Sequence, residues 1–590
     1  MIKMKTIQDY REAYASGSNI TELIRQAWVE VQEDEDDSIF ITKLSWREIE
    51  VQLEKINQLE ASSRGSLYGV PFVVKDNIDL AGVQTTAGCS SYAYVPVESA
   101  PAVSLLLEEG AICLGKTNMD QFATGLVGTR SPYGVAKNIF NKDYLPGGSS
   151  SGSAVAVAKE LVPFSLGTDT AGSGRVPAAF NEIIGLKPSR GYVSTRGVVD
   201  ACKSLDCVSV FANSCRDADE VLRVLAVKDS EEAWSRESPT VWPTFPKQFR
   251  IGVPKLSDLE FHGWGRAQDL YVEAIDSFKQ LGGEIVEISI EPFLTAAQLL
   301  YEGPWVTERY IAIKDFLNSN ANDVYPVTRK IIEAGRDPLA SELFEAQYRL
   351  AECKRQADQI MDSIDLVVLP TTPRNFTLAE VEAEPVKLNS ILGTYTNFMN
   401  LLDYSALALP AGRYEGRLPW GITIFAKAGM DRALLKLGSA YEQESDRYVE
   451  SVCELGFDQV QVVVCGAHLD GMTLNHQLTS RGAELIAVTT TSANYEMYVI
   501  PPVGSIPERP AMMYSSTGKG DIIEVEVWSM TREAFGEFVA LIPAPLGIGK
   551  IELIDGREVA GFIAEPRACE GATEITSLGG WRAYQEQKPK

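Results

Sequence analysis

The chain has 590 residues, 45% of them hydrophobic, with 54 Lys and Arg against 80 Asp and Glu, a net charge of −26. That length predicts two or more domains with sizeable cores. The acidic balance argues against nucleic acid or an anionic membrane as partner, and no apolar run reaches the roughly 18 residues a spanning helix needs.

The N-terminus, MIKMKTIQDYREAYASG, lacks the apolar stretch of a secretory leader. Residues 1–64 predict helices, over Ile7–Arg11, Asn19–Ile24 and Trp46–Leu59, and Asn19 with Glu22 three residues on reads as a capping-box variant. The acidic run Glu33–Asp37 reads as a solvated loop. Tyr68–Lys75, YGVPFVVK, predicts a buried strand entering the turn Asp76-Asn77. A lysine at the end of a buried strand is partly desolvated, which lowers its pKa. A free lysine titrates near ~10.4, so being mostly neutral at pH 7 needs a fall of over ~3 units. Lys75 is thus a candidate base; the competing reading pairs it with Asp76 or Asp79. Further on, Ala102–Glu109 and Ala154–Leu161 read as helices, and Ala111–Gly115 and Val162–Leu166 as strands. The alternation predicts an α/β sheet. Residues 117–133, TNMDQFATGLVGTRSPY, form a polar, Gly-containing loop, either a wall of the site or a plain connection.

Two Gly/Ser-rich turns, GGSSSGS from Gly147 and GTDTAGSGR from Gly167, flank the apolar run Ala154–Leu166. Glycines let the backbone approach a ligand closely, and successive N–H groups in such turns make a nest for negative charge. A linker would not carry AVAVA between two such turns. A phosphate-binding loop needs Gly-Lys-Ser/Thr, and no Lys follows Gly147 before Lys159. Ser173 reads as a nucleophile and Ser149 as its proton partner. The three histidines, His262, His468 and His476, all lie beyond residue 261. A local Ser-His-Asp triad is thereby excluded; a distant His is not, and Lys75 is the better base. Nine cysteines lie at irregular positions, and the closest pair, in CKSLDC, is too loosely spaced for zinc. This usage suits a reducing cytoplasm.

Residues 250–290 give a strand (RIGVPK), a helix (Ala267–Leu281) and a strand (GGEIVEI). A long helical region follows, about 296–362. If it is continuous, Tyr301 and Arg309 lie eight residues apart on one face. An Arg facing a pocket suggests a carboxylate held bidentately; the alternative is a surface ion pair with Glu302 or Glu308. Asp365–Thr371 and Trp420–Ile424 read as strands. Past about residue 445 the pattern turns to strands: Val460–Leu469, Gly482–Thr489, Tyr495–Ile500, Asp521–Trp528, Ile551–Leu553 and Val559–Ile563. The expected domains are 1–445, a linker 446–458, and a smaller α+β domain 459–590. His468 sits in the Gly-flanked turn Cys465–His468 and His476 at a helix start; for each, a satisfied structural role stands beside a catalytic one.

GGSSSGS followed by GTDTAGSGRVPAAF, with Ser149 and Ser173 24 residues apart, resembles the amidase signature family. SLDCVSVF, CGAHLDGMTLNHQL, EVEVW, IPAPLGIGKIEL and GGWRAYQ resemble the allophanate hydrolase branch of that family, over nearly the whole chain. The resemblance implies a mixed sheet covered by helices, plus a C-terminal domain of γ-glutamylcyclotransferase-like fold. It implies a triad of Lys75, Ser149 in a cis peptide linkage, and Ser173. It further implies an oxyanion hole from Thr170, Ala171, Gly172 and Ser173, substrate contacts from Gly125, Tyr301 and Arg309, and His468, with His476 second, acting in decarboxylation. Asp169 and Arg175 are expected as structural supports. The implied substrate is allophanate, the product of urea carboxylase, and that carboxylase is expected as a separate chain. No metal or organic cofactor is required, and a cytoplasmic homodimer is expected. Another amide hydrolase or amidotransferase component, and a non-catalytic scaffold, are the alternatives.

Overall fold

The computed structural model describes residues 4–58, 64–414, 417–449, 459–502, 508–515, 518–554, 556–569 and 571–588. The chain divides into two compact units, Met1–Arg447 and Tyr448–Lys590. Of the expected linker, residues 446–449 finish the helix Asp431–Val449, and 450–458 lie outside the described residues.

The first unit is built on eleven strands: β1 (Phe40–Lys43), β2 (Pro71–Lys75), β3 (Ile112–Thr117), β4 (Phe164–Asp169), β5 (Ile184–Lys187), β6 (Cys207–Ala212), β7 (Phe249–Pro254), β8 (Gly283–Ile288), β9 (Leu366–Pro370), β10 (Tyr404–Tyr414) and β11 (Leu418–Lys427). They form one sheet in the order β1-β3-β2-β4-β6-β5-β10-β11-β9-β7-β8. The sheet is mixed: β3-β2-β4 and β9-β7-β8 run parallel, and the other neighbours pair antiparallel. The central strands are buried along their length, as strands covered on both faces must be. Helices supply the cover; Ser151–Ala158, made of small residues, is buried over Ser151–Val157.

Several expectations are corrected. The N-terminal region is not wholly helical: between the helices Ile20–Glu33 and Trp46–Asn57, β1 pairs with β3. Its Phe-Ile-Thr run is rich in residues that suit a pleated edge. Asn19 caps the helix after it by accepting from the Glu22 N–H (3.2 Å). In the acidic run, Asp36 is buried, accepting from the N–H groups of Ser38 (3.1 Å) and Lys137 (2.7 Å). The region 296–362 is four helices, Glu291–Glu302, Val306–Asn320, Pro326–Glu333 and Ala340–Met361. Gly303-Pro304 interrupts the first pair, since proline cannot donate into a continuing helix.

The second unit has a five-stranded and a three-stranded sheet. With β12 (Gln459–Val464), β13 (Glu484–Thr490), β14 (Tyr495–Ile500), β15 (Arg509–Tyr514), β16 (Glu524–Thr531), β17 (Leu546–Glu552), β18 (Glu558–Ala564) and β19 (Thr573–Glu574), the orders are β13-β16-β12-β18-β17 and β15-β14-β19. Its own core gathers Val462, Val464, Val525, Val527, Phe538 and Trp581, among others. Val460–Leu469 is strand only to Val464, after which the chain turns through His468. Among the described residues no helix is long and apolar enough to cross a membrane.

Candidate active site

Lys75 ends β2, beside β4, and is fully buried. Its Nζ donates to Ser149 Oγ and to Thr168 Oγ1, both at 2.7 Å. Burial pulls its pKa from the ordinary 10.5 down to about 7, against the opposing pull of Asp120, Asp206 and Asp169. The pairing of Lys75 with Asp76 or Asp79 does not form. Asp76 is held by Lys116 (3.4 Å) and by Thr86, and Asp79 accepts from Thr85 (2.7 Å) and Tyr94 (2.8 Å).

The peptide bond between Gly148 and Ser149 is cis. This loop sits tightly: a Cβ on Gly148 would overlap the Asp120 carboxylate, and one on Gly147 would come within 2.6 Å of Pro177 Cα. Asp120 in turn donates its N–H to Ser149 O (3.0 Å) and accepts from the N–H groups of Gly128 and Arg130, each at 2.9 Å. Ser150 Oγ donates to Thr168 O (3.2 Å), which ties the loop to the strand leading into the second turn.

That second turn carries Ser173, only 3% exposed, at the start of the short helix Val176–Phe180. One carboxylate organises it. Asp169 accepts from the N–H groups of Gly172 (2.8 Å) and Gly174 (3.1 Å) and pairs with Arg175 through Nε (2.8 Å) and Nη2 (3.0 Å). Burial alone would raise Asp169; the Arg175 guanidinium holds it below the ordinary carboxylate value instead. Gly172 takes φ +139°, and a side chain there would collide with the Thr396 hydroxyl. The expected oxyanion donors are therefore not equivalent. The Gly172 N–H is committed to Asp169, whereas those of Thr170, Ala171 and Ser173 meet no acceptor among the described residues. The Thr170 hydroxyl donates to Asp206, which also accepts from Ala201 N (2.8 Å).

Tyr301 and Arg309 stand on two helices rather than one, yet they meet. Arg309 Nη2 donates to Tyr301 Oη (3.2 Å), and its guanidinium lies 5.4 Å from the Tyr301 ring centroid. Arg309 Nη1 donates to Ala123 O (3.3 Å) and Thr124 Oγ1 (3.1 Å), so residues 117–133 do line this part of the site. Arg309 is buried, and no carboxylate pairs with it among the described residues. The surface pairing is thereby ruled out: Glu308 accepts instead from the Ser204 N–H (2.9 Å). Gly125 adjoins Thr124, and a Cβ there would stand 2.7 Å from Asp120 Oδ2.

In the second unit, half-buried His468 lines a cavity of about 220 Å³. Its ring stacks on Phe562 at 5.2 Å and meets Phe538 edge-on at 5.1 Å. Its Nε2 donates to Gln477 Oε1 (3.0 Å), since an amide oxygen only accepts. Burial lowers its pKa, so the ring is neutral at pH 7 with Nδ1 as an acceptor. His476 is exposed, does not line the cavity, and bonds Thr473 O (3.0 Å).

The Amidase family profile matches residues 22–435. The chain belongs to the amidase family. In this amidase, residues 460–586 match a second profile, the Allophanate hydrolase C-terminal domain. The urea amidolyase of Saccharomyces cerevisiae is 40% identical over 94% of the chain, and that of Lachancea kluyveri 43% over 88%. The amidase spans about a third of the length of these relatives, 31% and 30%. A solved Kluyveromyces lactis allophanate hydrolase is 39% identical, with TM-score 0.73, over 98% of this chain and 99% of that one. Thr168 lies in the second Gly/Ser-rich turn and Asp120 in the loop 117–133, but the bonds that join Thr168 to Lys75, Asp120 to Ser149 and Asp206 to Thr170 link residues far apart in the chain, which no local pattern reveals.

Proposed function

We propose that this amidase hydrolyses allophanate (urea-1-carboxylate) through Ser173, Ser149 and Lys75, and that its second unit assists loss of carbon dioxide from the first product. The observation that carries the reading is the 2.7 Å bond from a fully buried Lys75, held near pKa 7, to Ser149. Neutral Lys75 accepts a proton through Ser149 as Ser173 Oγ attacks the terminal amide carbon. The oxyanion is received by the amides of Thr170, Ala171 and Ser173, donors of a kind worth several kcal/mol, about 3–4 each. The proton passes to the leaving ammonia. Water, activated by the same relay, then cleaves the acyl-serine and releases N-carboxycarbamate.

Arg309, Tyr301 and the turn at Gly125 hold the substrate carboxylate in this reading. A buried guanidinium with only neutral protein partners supports it, because such a charge is costly until an anion pairs with it. In the second unit His468 takes part as a neutral ring, because burial lowers its pKa. Loss of carbon dioxide breaks an N–C bond, leaves its electron pair on nitrogen, and ends as carbamate once that nitrogen is protonated. The relatives named urea amidolyase support a substrate derived from urea, and a urea carboxylase as its source belongs to the same proposal. A cytoplasmic homodimer of two-domain chains belongs to the same proposal; the free thiols of the described cysteines support a reducing compartment. Glutamine amidotransfer is the competing reading, and it leaves the second unit without a task. Ammonia release by the purified chain, compared across allophanate, biuret, urea and glutamine, decides between them: turnover of glutamine but not allophanate would overturn the proposal.

A further inference from the structure

The cavity of the second unit holds a cation that the sequence did not point to. Arg509 opens β15 and lines the cavity with His468, Gln477, Phe538, Leu546 and Phe562. Its Nε and Nη1 are buried without a hydrogen-bond partner among the described residues, and its one bond there runs from Nη2 to Ala544 O (3.2 Å). Glu508, the carboxylate beside it, also lines the cavity, but it is paired with Lys588 and accepts from Gln585 Nε2 (3.2 Å). Orphaned buried donors are rare because each costs the full desolvation of its group. A planar carboxylate is what the open side of a guanidinium fork accepts. The turn carrying His468 is pressed against this strand: a Cβ on Gly466 would overlap the Pro510 ring. The two functional groups thus share one small space. His468 offers an acceptor at Nδ1, which no described residue occupies, while its Nε2–H is spent on Gln477. Aromatic and aliphatic walls leave room for a few heavy atoms and little water.

We infer that this cavity is a receptor for a small planar carboxylate carrying an N–H, a molecule of the carbamate class, with Arg509 pairing the carboxylate and His468 Nδ1 accepting the N–H. The inference rests on the reading that the second unit handles the product of the first. Arg509 is then the specificity-determining residue of that unit. It separates charged carbamates from the neutral amides the first unit can also meet.

The test uses the full chain carrying Ser173→Ala, so that no ligand is hydrolysed, with ¹³C-labelled histidine. The three histidines give three signals, and His262 and exposed His476 serve as internal references. The probe is oxamate, which has a planar carboxylate and amide N–H; acetamide, lacking the carboxylate, is the control. Oxamate should shift the His468 signal saturably and acetamide should not. Arg509→Gln should raise the oxamate dissociation constant at least about tenfold, the worth of one charge-assisted hydrogen bond. Arg509→Lys, which keeps the charge but not the fork, should fall between. Arg309→Ala should leave the His468 shift intact, which separates this site from the first unit. An unmoved His468 signal, equal response to acetamide, or equal affinity in Arg509→Gln would each overturn the inference. With Ser173 restored, Arg509→Gln should release the first ammonia at the full rate while N-carboxycarbamate accumulates in ¹³C NMR. Absence of that first ammonia in the unaltered chain would instead count against the proposed function, and the oxamate result stands apart from it.

Discussion

The base of the relay gives the most quantitative prediction. Burial brings Lys75 from 10.5 to about 7, which at about 1.4 kcal/mol per factor of ten costs the ammonium about 5 kcal/mol. An ordinary lysine would be neutral in only ~1 molecule in 3,000 at pH 7, too few to carry the reaction. At a pKa of about 7, roughly a tenth of Lys75 is neutral at pH 6 and roughly nine-tenths at pH 8. In the proposed relay the neutral form is the active one, so activity should fall as the pH drops through this value. Initial rates of ammonia release from fresh allophanate should rise about tenfold in kcat/KM from pH 6 to pH 8 and then flatten. Lys75→Ala should be nearly inactive at pH 7, lose this limb, and recover partly as hydroxide replaces the base. A limb that keeps climbing through pH 9, or one that survives in Lys75→Ala, would refute the assignment of the base.

Three further outcomes are expected. Ser173→Ala should abolish ammonia release and leave cooperative thermal unfolding intact, because no described side-chain bond depends on its hydroxyl. Arg309→Ala should lower kcat/KM for allophanate at least about tenfold and affect a neutral analogue such as biuret far less; equal losses would make Arg309 a structural residue. A chain truncated after Val449 should still release the first ammonia but accumulate N-carboxycarbamate, and His468→Ala in the full chain should do the same. Equal decay of that intermediate in all three proteins would leave the second unit without a part in decarboxylation.

The strand that delivers Lys75 is legible because Pro71–Lys75 is apolar, β-branched and bounded by a turn. The strand Tyr404–Tyr414 is not, although it lies inside the sheet and pairs with both β5 and β11. Its sequence, YSALALPAGRY, is rich in Ala and Leu, and long-range pairing overrides that helical preference. The two serines and the lysine are visible through two glycine-rich turns and the position of Lys75 at a strand end. That Lys75 escapes Asp76 depends on Lys116 standing nearby, which no local pattern reveals. Tyr301 and Arg309 meet as expected but across a break that Gly303-Pro304 does announce. Arg509 had no signal at all, since its defining property is the lack of a partner in three dimensions.

Asp169 sets a second acid threshold, well away from the first. Held below its ordinary 3.8 by Arg175, it stays ionised, and its contribution to stability is lost only as the pH falls through that lowered value. The Asp169–Arg175 clamp therefore stays closed across the interval, roughly pH 4 to 6, in which Lys75 is mostly protonated, whereas burial raises Asp120 and Asp206, the carboxylates that hold the neighbouring turns. Toward the acid end of that interval almost no Lys75 is neutral, so the proposed relay stops while this clamp remains closed. A sample held at pH 5 and returned to pH 8 should regain its full rate where the Asp169–Arg175 clamp sets the acid limit, and lasting loss of activity at pH 5 would place that limit on Asp120 or Asp206 instead.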